Sequence, residues 1–526
     1  MTKVTANHVC ADHIPYVVYT FLFRNHAMKT AIIVALAMCL AVGGFAQAPA
    51  APDANNPKPA ASAATPRTIG PFTFSGSWRL RMEAWDWFDG NANDSYTFAH
   101  TTLRFALGQQ TRNLDWQVEA TVPAVLGAPD DAVAPGAQGQ LGLGSTYFVS
   151  NGNERNSASI YLSKAFLRFK GFGNEQNRLT LGRFEFIEGT ETAPKDKTLA
   201  ALKTMRIAHR LIGPFSFAAN TRSNDGVNLA LNTGKANFTF VAARPTRGVF
   251  QMDGWGELDV AYAYGAMSIP TGTAKSAGDF RVFAIGYGDE RPLTKTDNRP
   301  LPARSSALDR NSDIRIGTVG THYLHAFNTA NAGKWDLLLW GAGQFGSWGL
   351  QDHRAAAAAA EVGFQPGGKL NPWLRVGFFH GTGDGTANDD EHNTFFQMLP
   401  TPRWYARFPF YNFQNNQDLS ATLILRPTTK LTLRSEGHAL RLSSRNDFWY
   451  QGGGAFQPRT FGYVGRPSGG NRGLGNLWDI SADYNVTPSL TVTGYFANLW
   501  GKGVMKSVYP NGPDARFGYL EFVYRF

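Results

Sequence analysis

Arginine, lysine and glutamate recur at every second position of several short segments, and that spacing bounds the chemistry they can do. In residues 72–84, Arg79, Arg81 and Glu83 share one parity with Thr73, Ser75 and Ser77, while Phe72, Phe74, Trp78, Leu80 and Met82 share the other. Arg104 stands opposite Leu103, Phe105 and Leu107, and Lys164 and Arg168 stand opposite Ala165, Leu167 and Phe169. Later, Arg375 alternates with Leu374, Val376 and Phe378, and Arg434, Glu436 and His438 repeat the pattern. Strand side chains point alternately to two faces, so each segment has an apolar face and a charged one. Guanidinium groups offer forked donors that match carboxylates, and interspersed Asp and Glu keep them oriented. Rows of such groups either line a hydrated passage favouring anions or form salt-bridge ladders that stiffen a wall.

Other chemistries have less support. Covalent catalysis needs a Ser or Asp nucleophile held beside a His on a neighbouring strand. His100, His322, His380 and His438 lie on or beside strand patterns, yet no nucleophile motif accompanies any of them. Asp384, Asn388, Asp389, Asp390 and Glu391 offer the clustered oxygens that Ca²⁺ takes, but without EF-hand spacing, and a solvated loop is the expected reading. No cofactor is called for.

The elements that must position the charges are strands. Alternating segments occupy residues 72–84, 96–107, 114–122 and 158–170, with similar patterns at 179–186, 227–231, 237–243, 258–267, 280–287 and 314–324. Others follow at 335–345, 355–364, 373–380, 419–425, 431–442, 478–484, 490–500 and 517–526, and one more candidate lies in 204–217. The clearest are long enough to cross a bilayer at a tilt of about 45°. The expected count is 18, the even number in a list of 18 or 19. Connections alternate: residues 109–113, 426–430 and 486–489 are tight, whereas 123–157, 288–311, 381–417 and 443–476 are long and rich in Gly, Pro, Asn and Asp. Short turns at one end and long loops at the other describe a transmembrane β-barrel, and no blade-length repeat supports a propeller. A charge at the lipid midplane costs about 2–4 kcal/mol, so in a barrel the charged faces must point into the lumen. The final segment, with Leu520, Phe522, Tyr524 and Phe526 on one parity and Glu521 and Arg525 on the other, reads as the closing strand, pairing with 72–84.

Bulk properties agree. Hydrophobic residues are 43% and mean hydropathy is −0.26, as expected when only every second strand residue faces lipid. The 56 Gly and 13 Trp suit many turns and two aromatic belts. Residues 29–48 combine Lys29, an apolar run and small residues ending in Ala48, which describes a secretory signal with Met28 as its start and residues 1–27 as an over-extended beginning. Residues 49–70 are Ala/Pro-rich and read as a disordered lead-in to a barrel at 71–526. Both cysteines, Cys10 and Cys39, fall in or before that leader, which suits passage through an oxidising periplasm. The net charge is +10; where the arginines point matters more than that excess.

Several motifs, in order, resemble the alginate-export family of outer-membrane porins. They are Ser77-Trp78-Arg79-Leu80-Arg81-Met82-Glu83, Leu181-Gly182-Arg183-Phe184-Glu185, Arg222-Ser223-Asn224-Asp225-Gly226-Val227, and Gly381-Thr382-Gly383-Asp384 with Asn388-Asp389, followed by Asn393-Thr394-Phe395 and Pro400. The resemblance runs from about residue 72 to the end. It implies an 18-stranded barrel whose arginine-rich lumen passes an anionic polysaccharide without energy input, with Arg79, Arg81, Arg183 and Arg222 as the foremost selective lining. Thr382 and Ala387 depart from the family pattern in the acidic loop, which bears on the solute more than on the fold.

The combined reading is an all-β transmembrane antiparallel barrel of about 18 strands, with short periplasmic turns and long extracellular loops. It serves as a passive channel in the outer membrane of a Gram-negative-type bacterium. The expected pore-lining set is Arg79, Arg81, Glu83, Arg104, Lys164, Arg168, Arg183, Glu185, Arg222, Arg375, Arg434 and Glu436, with Phe522, Tyr524 and Phe526 serving closure and assembly. A weak Ca²⁺ candidate remains at Asp384, Asp389, Asp390 and Glu391. Expected partners are outer-membrane lipid and lipopolysaccharide, the barrel-assembly machinery, and an anionic polysaccharide or small anionic solute; nucleic acid is not among them. The alternatives are a barrel enzyme, or a general porin or structural barrel with a plugged lumen and no anion selectivity.

Overall fold

The computed structural model describes residues 67–329, 333–401, 407–454 and 457–526. The expected over-extended start, signal segment and lead-in up to residue 66 lie outside these. Among the described residues, eighteen long strands form the wall. The first nine are β1 Phe72–Asp86, β2 Ser95–Gln110, β3 Leu114–Leu126, β4 Tyr161–Lys170, β5 Arg178–Phe184, β6 Asn224–Asn232, β7 Asn237–Pro245, β8 Val260–Thr273 and β9 Ser276–Asp289. The second nine are β10 Ile314–Thr329, β11 Gly333–Trp348, β12 Gln351–Gln365, β13 Trp373–Gly381, β14 Asn416–Leu425, β15 Leu431–Leu442, β16 Gly473–Asn485, β17 Leu490–Gly501 and β18 Ala515–Arg525. Each pairs antiparallel with the next, and β18 pairs with β1 from Ser77↔Arg525 to Asp86↔Arg516, so the sheet closes on itself. Closure leaves no strand edge to expose unpaired N–H and C=O groups to hydrocarbon. All eighteen alternating segments become wall strands.

Alternation sorts the two faces. On β12 the buried positions run Gln351, His353, Ala355, Ala357, Ala359, Glu361 and Gly363, and the intervening residues are exposed up to Val362. A bulge between β3 and β4, beside Glu119 and Ala120, puts Ser163 and Lys164 on the same inward side. Both then reach Glu119: Ser163 Oγ donates to Oε1 at 2.7 Å, and Lys164 Nζ lies 3.2 Å from Oε2. An extra residue in one strand re-aims a side chain in this way.

Connections at one end are short, the longest being 171–177 and 366–372. Those at the other end, taken as extracellular, include 127–160, 185–223, 246–259, 290–313, 382–415 and 443–472, while 349–350 is a tight exception. The nineteenth strand candidate, 204–217, is corrected here. It lies within 185–223, which enters the lumen as helix α1, Lys197–Leu202, and a wider helical turn, Lys203–Ile207. Asp196 caps α1 by accepting the Thr198 and Leu199 N–H groups at 2.9 and 3.1 Å. Lys203, Arg206 and Arg210 recur at helical rather than alternating spacing, and Gly213-Pro214 offers no ladder donor at the proline.

The C-terminal residue lies at the seam. Phe526 accepts the Gly76 N–H at 2.8 Å and donates to the Gly76 carbonyl at 3.0 Å, while its ring packs near Phe74 and Phe105, with centroids 6.1 and 6.0 Å away. Gly76 carries no side chain because a Cβ there would collide with that ring and with the Arg104 carbonyl. Deleting Phe526 removes two seam hydrogen bonds and an interfacial ring. The expected result is a severalfold loss of heat-modifiable, folded barrel on unheated gels, with normal conductance in the fraction that assembles. Assembly at the unaltered level would contradict this placement.

Candidate functional site

Segment 185–223 crosses the lumen, and inward wall residues tie it down at several points. Arg79 on β1 donates to the Ser216 and Ala218 carbonyls, and Arg81 Nη1 donates to the Phe217 carbonyl at 3.0 Å. On β2, Thr102 Oγ1 donates to the Ala219 carbonyl at 2.6 Å and Arg104 Nη2 to Thr221 Oγ1 at 3.2 Å. On β9, Asp279 receives Lys203 Nζ at 3.2 Å, and Arg281 reaches Glu188 at 2.7 Å. On β12, Glu361 holds Arg206 at 2.9 Å and Arg210 at 3.5 Å from the segment, and Arg375 from β13 at 3.0 Å. The Arg210 guanidinium also sits 4.8 Å above the Trp340 ring. Charged hydrogen bonds of this kind are stronger than neutral ones, and where the groups are buried, as Arg81, Arg210, Arg281, Arg375 and Glu361 are, they fix geometry.

The wall charges compensate one another. Arg81 makes a forked contact to Glu521 Oε2 at 2.9 and 2.6 Å and lies 3.6 Å from Glu83. Glu83 also accepts from Trp85 Nε1 at 3.0 Å and faces His100 at 3.1 Å. Arg375 pairs with Asp336 as well as Glu361. Arg434 meets Glu436 at 2.5 Å, and Thr422 donates to that glutamate at 2.8 Å. Lys164 lies between Glu119 and Glu185, which is 3.6 Å away just beyond β5. Arg168 donates to Thr180 Oγ1 at 3.1 Å. Arg407, on the infolded loop 382–415, faces Asp483 at 3.9 Å and the Tyr519 hydroxyl at 3.3 Å. Arg222 is buried where the crossing segment rejoins the wall, its N–H donating to the Pro214 carbonyl at 2.8 Å, and burial lowers its guanidinium to about 10.

Two expectations need correction. Arg183 does not line the lumen: it shares the outward parity of the exposed Leu181, near the extracellular rim, and its Nε meets Asp225 at 2.7 Å. The family resemblance suggested a pore role, but the unbroken β5 register sets its face. The acidic loop does not gather a Ca²⁺ site among the described residues. Asp384 turns inward, its N–H bonding Asp447 Oδ2 at 3.0 Å, and burial pushes both carboxyls up to about 6. Glu391 instead joins a short bridge to Asp352, and Asp389 caps the Glu391 N–H at 3.2 Å. Phe522 and Tyr524 share the outward parity with Phe526.

Sequence reasoning missed Lys203, Arg206, Arg210, Asp279, Arg281, Asp336 and Glu361. The readable signal was a lone charge inside an apolar strand, as in the alanine run ending at Glu361. Towards the extracellular end, the lumen is packed with aromatics from wall and loops, including Trp85, Phe408, Phe410, Trp348, Phe396 and Tyr463. A cavity of about 910 Å³ lies among loops 127–160, 246–259 and 443–472, lined in part by Phe250, Gln251, Gln457, Tyr463 and Arg466.

This architecture has solved counterparts. The OccAB2 barrel of Acinetobacter baumannii superposes with a TM-score of 0.55 at 9% identity, covering 86% of this chain and 98% of its own. OccK9 (OpdG) of Pseudomonas aeruginosa gives 0.51 at 10% identity, and OccK2 (OpdF) of that organism, solved in complex with glucuronate, gives 0.50 at 8%, both with the same coverage. No curated protein sequence matches the chain. These likenesses establish the barrel architecture. A family model described as alginate export matches residues 79–497, and the chain therefore belongs to the alginate-export family of outer-membrane β-barrel porins.

Proposed function

We propose that this porin passively conducts an anionic, sugar-like solute, and that selection takes place where segment 185–223 meets the inward arginines. The observation that carries this is the cluster of Arg79, Arg81 and Arg104 on β1 and β2, in which Arg81 and Arg104 both act electrostatically on Arg79 and Glu521 stands 4.0 Å from it. Released from the segment 185–223 groups that now accept them, their forks would replace part of the hydration of a carboxylated solute. The neighbouring acids, Glu521, Glu83 and Glu119, keep any single contact weak enough to release it. Glucuronate, the ligand of the OccK2 barrel, is the solute class such forks suit. The competing reading is a barrel closed by its own loops, which the aromatic packing of the extracellular half favours.

Planar-bilayer recording separates these readings. Steady anion-selective conductance is expected in a salt gradient, and Arg79→Gln with Arg104→Gln should move the reversal potential toward cation preference. Cation selectivity in the unaltered protein would overturn the anion channel, and a silent bilayer would favour the closed barrel.

Glu361→Gln tests the crossing segment. It leaves the charges of Arg206, Arg210 and Arg375 without their shared carboxylate, and removing one partner of a buried pair costs about 3–5 kcal/mol. The segment should loosen while the wall, held by its backbone ladder, persists. Larger or noisier single-channel currents and new protease cleavage within 185–223 are the expected readouts. Unchanged current and cleavage would show that the segment is not held by these pairs.

A further inference from the structure

The outward face of the barrel is not uniformly compensated at its extracellular rim. Arg183 pairs with Asp225, Arg244 with Glu257 and Asp259, Arg315 with Asp313, and Arg516 with Asp86. The arc from β13 to β16 differs. Here His380, Gln417 and Arg441 lie side by side on three neighbouring strands, and Arg441 is opposite Gly473, next to Arg472. Arg441 Nε donates to Gln417 Oε1 at 2.5 Å, and the Gln417 amide donates to His380 Nδ1 at 2.8 Å. Arg472 Nε donates to the Leu442 carbonyl at 3.0 Å. The charges acting on His380 are those of Arg472 and Arg441, and among the described residues neither arginine has a carboxylate at ion-pair distance. Both are exposed. Their Nε–H groups are occupied within the protein, which leaves the terminal nitrogens facing outward.

The register sets this row at a definite depth. Two residues further into the membrane on β13, β14 and β15, and three past Gly473 on β16 where a bulge intervenes, runs the row Phe378, Leu419, Ala439, Asn476 and Trp500, paired in that order across five strands. Phe378, Leu419 and Trp500 are 44%, 53% and 50% exposed. Two residues of strand span about 7 Å, so the cations stand just above an apolar band edged by a tryptophan, at headgroup level. Lys502 extends the arc and donates to Asn476 Oδ1 at 2.7 Å, while the acid beside it, Asp514, accepts the Gly501 N–H at 2.9 Å.

We infer that this arc is a docking site for the phosphate groups of a phosphorylated glycolipid of the outer leaflet, with Arg441 and Arg472 as its forked donors. Guanidinium forks match phosphate oxygens in pairs. The row below would meet the acyl chains, which a free anion or a soluble polysaccharide would not use. The inference rests on the outer-membrane placement of the barrel and not on the identity of its solute.

The test is native mass spectrometry of the full-length protein titrated with diphosphoryl lipid A, with bilayer conductance measured on the same preparation. Each basic residue near an anionic surface contributes about fivefold in affinity, so R441Q/R472Q should bind roughly 25-fold more weakly with unchanged conductance. R315Q, which alters an outward rim arginine on β10 already paired with Asp313, should bind as the unaltered protein does. Dephosphorylated lipid A should bind the unaltered protein about as poorly as diphosphoryl lipid A binds the double variant. Equal binding of diphosphoryl lipid A by the double variant overturns the site. Displacement by inorganic phosphate at matching concentration would make it a free-anion site, and displacement by oligo-uronate would make it a polysaccharide dock; either rejects the lipid assignment. Loss of conductance with lipid binding intact would count against the channel reading alone.

Discussion

Hydrocarbon contains no water to satisfy a backbone N–H or C=O, and the seam between β1 and β18 is where this chain meets that constraint. Once the ring is closed, strand alternation assigns every side chain to lipid or lumen. Arg79, Arg81 and Glu521 face inward because Trp78, Leu80, Phe522 and Tyr524 face outward on the same paired strands. Closure thus concentrates charge in a narrow interior, and the rest of the structure answers that concentration.

It does so with ion pairs and with the crossing segment. Glu361 is the clearest case, since one carboxylate from β12 gathers two arginines from the segment and one from β13. The same groups that give the lumen its polarity therefore also hold the element that narrows it. This coupling makes a ladder of arginines something other than a bare row of positive charge. The guanidiniums act as buttresses for that element, and the acids between them offset their charge.

The wall was legible because alternation is a local property that each strand displays by itself. The terminal segment could be read as the closing strand from ten residues, and Gly76 finds its reason only when Phe526 lies across it. Segment 204–217 was misread because a buried loop is apolar without being a strand, and its Lys203, Arg206 and Arg210 spacing becomes meaningful only once Asp279 and Glu361 are opposite. Arg183 was misread because the motif resemblance was weighed above its parity with Leu181.

The sequence by itself determined the class of fold, the strand count and the face of nearly every wall residue, because period-2 patterning and the cost of charge in lipid act residue by residue. Tertiary structure decided which inward charges meet, which loop enters the lumen, and which outward cations at the rim have no acid within reach among the described residues. Those outcomes depend on registers between distant strands and on side chains converging across an enclosed space, and no local pattern encodes such distances. The charges Arg206 and Glu361 are 155 positions apart in the chain and 2.9 Å apart in space.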